Sequence, residues 1–242
     1  MSFMRRRLAV VMAAGLVALL ASYTLGEHMG AAVSRPATVI TRAPVTQKVV
    51  ALTFDDGPTP KWTPQILAVL NAAHVKATFF VIGSQARKYS QLVAREVKDG
   101  MEIGSHGALH KRLVNQSATF VRSEVETAAT DIMAAGAPRP RLYRMPAGVY
   151  DATALQVLGQ LGYRVIGWSV DPQDWRHRWT AEQMLTIVKR QVGPGSIIIF
   201  HDGTNGSRAT VEAAKMVIET LKREGYRFVT VSQLLALVRG RI

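Results

Sequence analysis

From Lys48 onward, short apolar runs rich in β-branched and aromatic residues alternate with stretches whose apolar positions recur every three to four residues. The runs are Val49 to Phe54, Ala77 to Ile82, Met101 to Ser105, Arg141 to Arg144, Arg164 to Ser169, Ser196 to Phe200 and Tyr226 to Val231, which predicts seven strands. The intervening helices carry their own boundary signals. Thr63 precedes Pro64 at a first helical position, Thr180 and Gln183 form a capping-box pattern, and Gly100, Gly136 and Gly225 are C-terminal stops. Strand and helix in alternation imply a parallel sheet. A run such as Ile197-Ile198-Ile199-Phe200 has no polar face and must be covered on both sides. A closed or nearly closed α/β barrel does that.

Ahead of Lys48 the pattern changes. Residues 26–47, with Pro36, Pro44 and many small or polar residues, show little apolar periodicity and read as a linker, so the folded domain is expected over 48–242. Residues 1–25 hold Arg5, Arg6 and Arg7 followed by an uncharged run from Leu8 to Leu25. A positive segment before an apolar one is the layout of a signal peptide or an N-terminal membrane anchor. The 18-residue run suits either, with Thr24-Leu25-Gly26 and Gly30-Ala31-Ala32 as weak cleavage patterns, and the anchor is preferred. Both readings put the domain outside the cytoplasm, tethered or released.

At 242 residues and 48% hydrophobic content, one domain with a full core is expected. The formal charge is +13; residues 1–47 hold five arginines against one glutamate, which leaves +9 on the remainder. That balance suits acidic wall polymers or anionic lipid. The basic residues are spread over several helices without interleaved aromatics, so nucleic acid is not an expected partner. There is no cysteine, which excludes disulfides, thiolate ligands and a cysteine nucleophile. Any metal must take nitrogen and oxygen ligands.

The polar residues that break the apolar pattern fall at strand ends: Asp55-Asp56, His106, Arg144, Asp171 to Trp175, and His201-Asp202. In α/β barrels the C-terminal strand ends build the active site. Two adjacent aspartates at the tip of an apolar strand repel each other unless a cation or hydrogen bonds compensate them. His106 and His110, with three residues between them, complete a metal-compatible set, so that one aspartate and two histidines hold the ion while the other aspartate serves as general base. No glutamate follows His106, so this is not the helical zinc-protease pattern. Arg144, in Arg144-Met145-Pro146-Ala147-Gly148, is suited to orienting a carboxylate. Asp174 beside Trp175 combines an acid with an aromatic wall for a sugar ring, and His201 follows an apolar strand where a nearby acid can tune it.

These motifs, in this order over roughly residues 48–238, resemble those of the polysaccharide deacetylases with a NodB homology domain, carbohydrate esterase family 4. The resemblance implies a distorted (β/α)7-type barrel and a metal-dependent deacetylase of carbohydrate. It implies Asp55 as general base, Asp56, His106 and His110 as metal ligands, Arg144 as the group orienting Asp55, and His201 as general acid tuned by Asp174. Pro146, Ala147 and Trp175 are expected to contact substrate, with the Ala147 N–H helping to stabilise the oxyanion. Zinc is the expected ion, with cobalt, nickel or manganese accepted by the same ligands. The expected substrate is an N-acetylglucosamine polymer: peptidoglycan, a chitin-like oligomer or an exopolysaccharide. A non-catalytic carbohydrate-binding module on the same fold is the rival reading.

Three positions depart from the family pattern. Gly107 stands where many members have Ser or Thr bracing the loop, so His106 needs another brace. Ala147 replaces a residue that is often aromatic, and Ile199 replaces the usual Leu.

Overall fold

The computed structural model describes residues 35–176, 178–203 and 205–239; the segment read as signal peptide or anchor lies outside them. Among the described residues no helix is long and apolar enough to cross a membrane. The described strands are β1 (Val39–Ile40), β2 (Val49–Asp55), β3 (Thr78–Val81), β4 (Glu102–Ser105), β5 (Leu142–Tyr143), β6 (Arg164–Ile166), β7 (Ile197–His201) and β8 (Arg227–Val229). The helices are α1 (Thr63–Ala72), α2 (Gly83–Lys88), α3 (Ser90–Lys98), α4 (Ala118–Ala134), α5 (Ala152–Gln160), α6 (Ala181–Gln191), α7 (Arg208–Arg223) and α8 (Val231–Arg239).

The sheet runs β1-β6-β5-β4-β3-β2-β7, and every ladder in it is parallel. Its two ends meet through single bridges, Arg42 with Ser196 and Val170 with Ile198, which curl it into a distorted barrel. β2 is the axis of the fold: β7 lies along one edge, while β3 covers its Thr53–Asp55 half and β8 its Val49–Ala51 half on the other. All seven of its residues are buried.

Two-residue periodicity sorts the strand side chains. Val50, Leu52 and Phe54 of β2, Phe79 and Val81 of β3, and Ile198 and Phe200 of β7 pack outward against α1, α6 and α7. The alternate residues Val49, Ala51, Phe80 and Ile197 face the interior with Leu142 and Ile166, and Val231, Leu234 and Leu235 of α8 pack against them. Continuing the inward parity along β2 gives Thr53 and then Asp55; along β7 it gives Ile199 and then His201. Alternation in the strands therefore delivers both polar groups to one mouth.

The helix boundaries follow the sequence signals. The Thr180–Gln183 capping box is present in full, and Gly100, Gly136 and Gly225 take φ of 76°, 94° and 85° at helix ends. In α1, Thr63 is already helical, one residue earlier than expected, and its hydroxyl donates to the Asp202 carboxylate.

The main correction concerns the linker. Residues from Pro36 onward belong to the same compact unit as the rest of the domain, and β1 adds an eighth strand among the described residues. Ala43 and Val45 are buried, and the Ala43 N–H donates to the Gly195 carbonyl at 2.9 Å. The strand is two residues long, too short to show a period. A chain started at Lys48 rather than Arg35 exposes this seam, and its thermal midpoint should fall by on the order of 10 °C in a calorimetric comparison.

Candidate active site

The strand ends converge on a cavity of about 430 Å³ lined by Asp55, Asp56, His106, His110, His201 and Trp175 among others. Asp56 Oδ1 lies 3.4 Å from His106 Nε2 and 3.2 Å from His110 Nε2, and the three ligand atoms fall within 4.8 Å of one another. Asp56 Oδ1 is buried and makes no hydrogen bond among the described residues. An orphaned carboxylate oxygen facing two imidazole nitrogens fits a divalent cation with nitrogen and oxygen ligands. His106 Nδ1 is 2.9 Å from the Arg144 carbonyl, which fixes the proton on Nδ1 and turns the Nε2 lone pair toward Asp56. Burial alone would raise the Asp56 carboxyl, but the approach of His106, with His201 and His110 adding to it, holds it below the usual carboxylate range. Burial, and then His106, lower the proton affinity of His110, which favours the neutral ligand form.

Asp56 and His110 hold this geometry at φ of 72° and 58°, left-handed conformations that neighbouring contacts must enforce. The enforcement at Asp56 is interlocking. A Cβ on Gly203 would stand 2.2 Å from the Asp56 Cβ, so the β7 loop packs directly against the aspartate.

Asp55 has a different environment. Its Oδ1 accepts from Arg144 Nη1 at 2.6 Å, and that same nitrogen donates to Thr53 Oγ1 at 2.7 Å. Burial lowers the Arg144 pKa, a shift opposed by the charge of Asp55 and its hydrogen bond. Asp55 Oδ2 is left facing the candidate metal ligands, 3.8 Å from His106 Nε2.

His201 Nδ1 pairs with Asp174 Oδ1 at 2.8 Å, and the His201 backbone N–H donates to Asp174 Oδ2 at 2.9 Å. Burial would lower the histidine, but the Asp174 bond and charge, with Asp55 and Asp56 behind them, push it up to about 9. The imidazolium therefore persists at neutral pH, with Nε2 as the ring nitrogen not taken by Asp174.

The brace missing at Gly107 is supplied by the backbone and by α4. Gly107 sits at φ 80°, with the Tyr143 hydroxyl 3.1 Å from where a Cβ would stand, so a side chain there would be strained and crowded. The Leu109 N–H donates to buried Glu124 Oε1 at 2.7 Å, and the carbonyls of Gly107 and Ala108 accept from Gly83 and Ser84 at 2.9 Å. Asn205 was not expected. Its Nδ2 donates to Asp56 Oδ2 at 2.9 Å and leaves Oδ1 to the histidines. Its sequence signal was slight: an amide in the turn directly after a strand that ends in His201-Asp202. Of the three expected substrate contacts, Ala147 and Trp175 line the cavity and Trp175 is 42% exposed. Pro146 is buried and does not line it; it starts the one-turn 3-10 helix in which Ala147 reaches φ 58°.

A parallel barrel with ionisable groups gathered at the C-terminal ends of its strands has the layout of an α/β-barrel enzyme. Residues 42–166 match the family model for polysaccharide deacetylase, and the chain belongs to that family. It is 35% identical over 194 residues to a peptidoglycan-N-acetylglucosamine deacetylase of Bacillus cereus, covering 79% of this chain and 90% of that protein. It is also 35% identical over 198 residues to a chitooligosaccharide deacetylase of Bradyrhizobium sp., covering 76% and 90%. The crystal structure of the Bc1960 peptidoglycan N-acetylglucosamine deacetylase superposes with a TM-score of 0.79 at 31% identity, over 82% of this chain and 92% of that one. Other relatives are longer, and the chain spans 39% of their length.

Because Asn205 fixes which oxygen of Asp56 faces the histidines, Asn205→Ala should weaken divalent-cation binding about tenfold. Chelator competition with zinc as the probe measures it, and the melting temperature of the metal-free protein should stay unchanged.

Proposed function

We propose that this protein hydrolyses the N-acetyl group of N-acetylglucosamine-containing polysaccharide, with a divalent metal, zinc first, at Asp56, His106 and His110. One observation carries this: a metal-type triad, a cation-paired carboxylate and an acid-paired histidine line the same cavity. The bound metal would supply Lewis-acid polarisation of the acetyl carbonyl and of water. Asp55, oriented by Arg144, takes a proton from the attacking water through the oxygen that Arg144 leaves free. The water oxygen adds to the acetyl carbon, and the Ala147 N–H would meet the developing oxyanion. His201 delivers its Nε2 proton to the sugar nitrogen as the C–N bond breaks, and the products are acetate and a free amino sugar. Trp175 offers its exposed ring as a platform for a sugar.

The setting is extracytoplasmic, by the charge and apolar pattern of residues 1–25, as an anchored or released wall enzyme. Acetate release from acetylated glycans by zinc- or cobalt-loaded protein tests the reading. A protein that binds such a glycan but releases no acetate is the carbohydrate-binding module instead.

The two aspartates should separate cleanly. Asp55→Asn should lose at least about a hundredfold in kcat while still binding zinc, whereas Asp56→Ala should lose zinc itself. Acetate assay and metal titration on the same preparations distinguish them.

The raised affinity of His201 has a sign that can be checked. Asp174 is the main opposing cause to burial, so without its charge burial dominates and the imidazolium loses its proton at lower pH. Asp174→Asn should therefore move the alkaline limb of the kcat profile downward by about one pH unit or more. In the metal-free protein the His201–Asp174 pair adds stability fully below pH 6.5, lost as pH rises through about 9.

A further inference from the structure

Charged side chains lining the cavity nearly all have partners. Asp55 is held by Arg144, Asp56 by Asn205, and His201 by Asp174. Asp171 accepts from the Gln173 N–H at 2.7 Å, and burial raises its carboxyl toward the neutral form. Arg112 is the exception. It lines the cavity two residues beyond His110, is exposed, and has no hydrogen bond, ion pair or ring partner among the described residues.

A guanidinium presents a planar fork of donors matched to a carboxylate, and it is always charged. A neutral glycan offers it only hydroxyls and carbonyls. A glycan with a carboxylate on the sugar next to the reacting acetamido sugar offers the matching anion, while Trp175, itself under the Arg176 guanidinium at 4.8 Å, offers a face for a ring. The +13 formal charge of the chain favours the same class of polymer over long range. The two relatives at 35% identity, one named for peptidoglycan and the other for chitooligosaccharide, do not choose between these classes. The cavity wall does.

We infer that Arg112 is a specificity-determining residue that binds a glycan carboxylate adjacent to the scissile acetamide. The substrate class is then an acidic wall-type glycan in preference to a neutral chitin-type one. The inference rests on the deacetylase reading above.

Three substrates test it with full-length zinc-loaded protein. They are peptide-stripped strands of alternating N-acetylglucosamine and N-acetylmuramic acid, whose lactyl carboxylates are free; the same strands methyl-esterified; and neutral N-acetylchitotetraose. Wild type should prefer the free acid over the ester, and the preference should shrink as salt rises. Arg112→Gln should lower the acidic-to-neutral ratio of kcat/KM about tenfold and erase the difference between acid and ester, with Arg112→Lys recovering part of it. Equal loss on all three substrates, or an unchanged ratio, overturns the inference. Absence of acetate from every substrate overturns the deacetylase reading instead. In that case equilibrium binding of stripped against esterified strands, wild type against Arg112→Gln, still decides whether Arg112 reads the carboxylate.

Discussion

The buried guanidinium of Arg144 is the constraint on which the site depends. It stands inside the barrel, its centre 4.0 Å from the Phe80 ring centroid, and spends its donors on Asp55, Thr53 and the carbonyls of Ile166 and Gly167. Its own carbonyl accepts from His106. One residue thus orients the proposed base by its side chain and a proposed metal ligand by its backbone. Removing either member of a buried ion pair costs about 3–5 kcal/mol, because the other charge stays behind without a partner. The pair is therefore less a source of stability than a device that makes any other placement of Asp55 unfavourable.

Three acids sit close together here with different proposed roles, and their partners divide them. Asp55 faces a permanent cation and Asp56 faces two imidazole nitrogens, while Asp174 is committed to one histidine through both of its oxygens. The same arrangement moves two of the histidines in opposite directions. His110, crowded by burial and His106, is favoured neutral, as its proposed role of ligand needs, and His201, opposite Asp174, is favoured charged, as its proposed role of proton donor needs. Separating base, ligand and acid by environment is how one residue type serves several steps at one pH.

Much of this was legible in the sequence because it is local or periodic. β2, β3 and β7 announce themselves as apolar runs, the Thr180 capping box is a four-residue pattern, and Asp55, Asp56, Arg144 and His201 stand out as polar groups at strand ends. The misses are long-range. Asn205 meets Asp56 across 149 positions, and Glu124 meets Leu109 from a helix whose sequence gives no hint of a buried acid. Pro146, expected as a substrate contact, instead starts the turn that carries Ala147 to the cavity wall.

The misread linker bears on the chemistry as well as on the domain boundary. The carbonyl of Ile40 in β1 accepts from the Gly167 N–H at 2.8 Å, and the Gly167 carbonyl accepts from Arg144 Nη2 at 3.0 Å. Gly167, whose carbonyl receives the guanidinium, is thus held at its amide N–H by the edge strand. From β1 the contacts run through Gly167 and Arg144 to Asp55, so a two-residue strand with almost no sequence signature stands three hydrogen bonds from the proposed general base. Barrel closure and catalytic geometry are then one packing problem. The residues at 36–47 that look dispensable by composition belong to the support of the site, because the sheet's edge lies next to the guanidinium that the site requires.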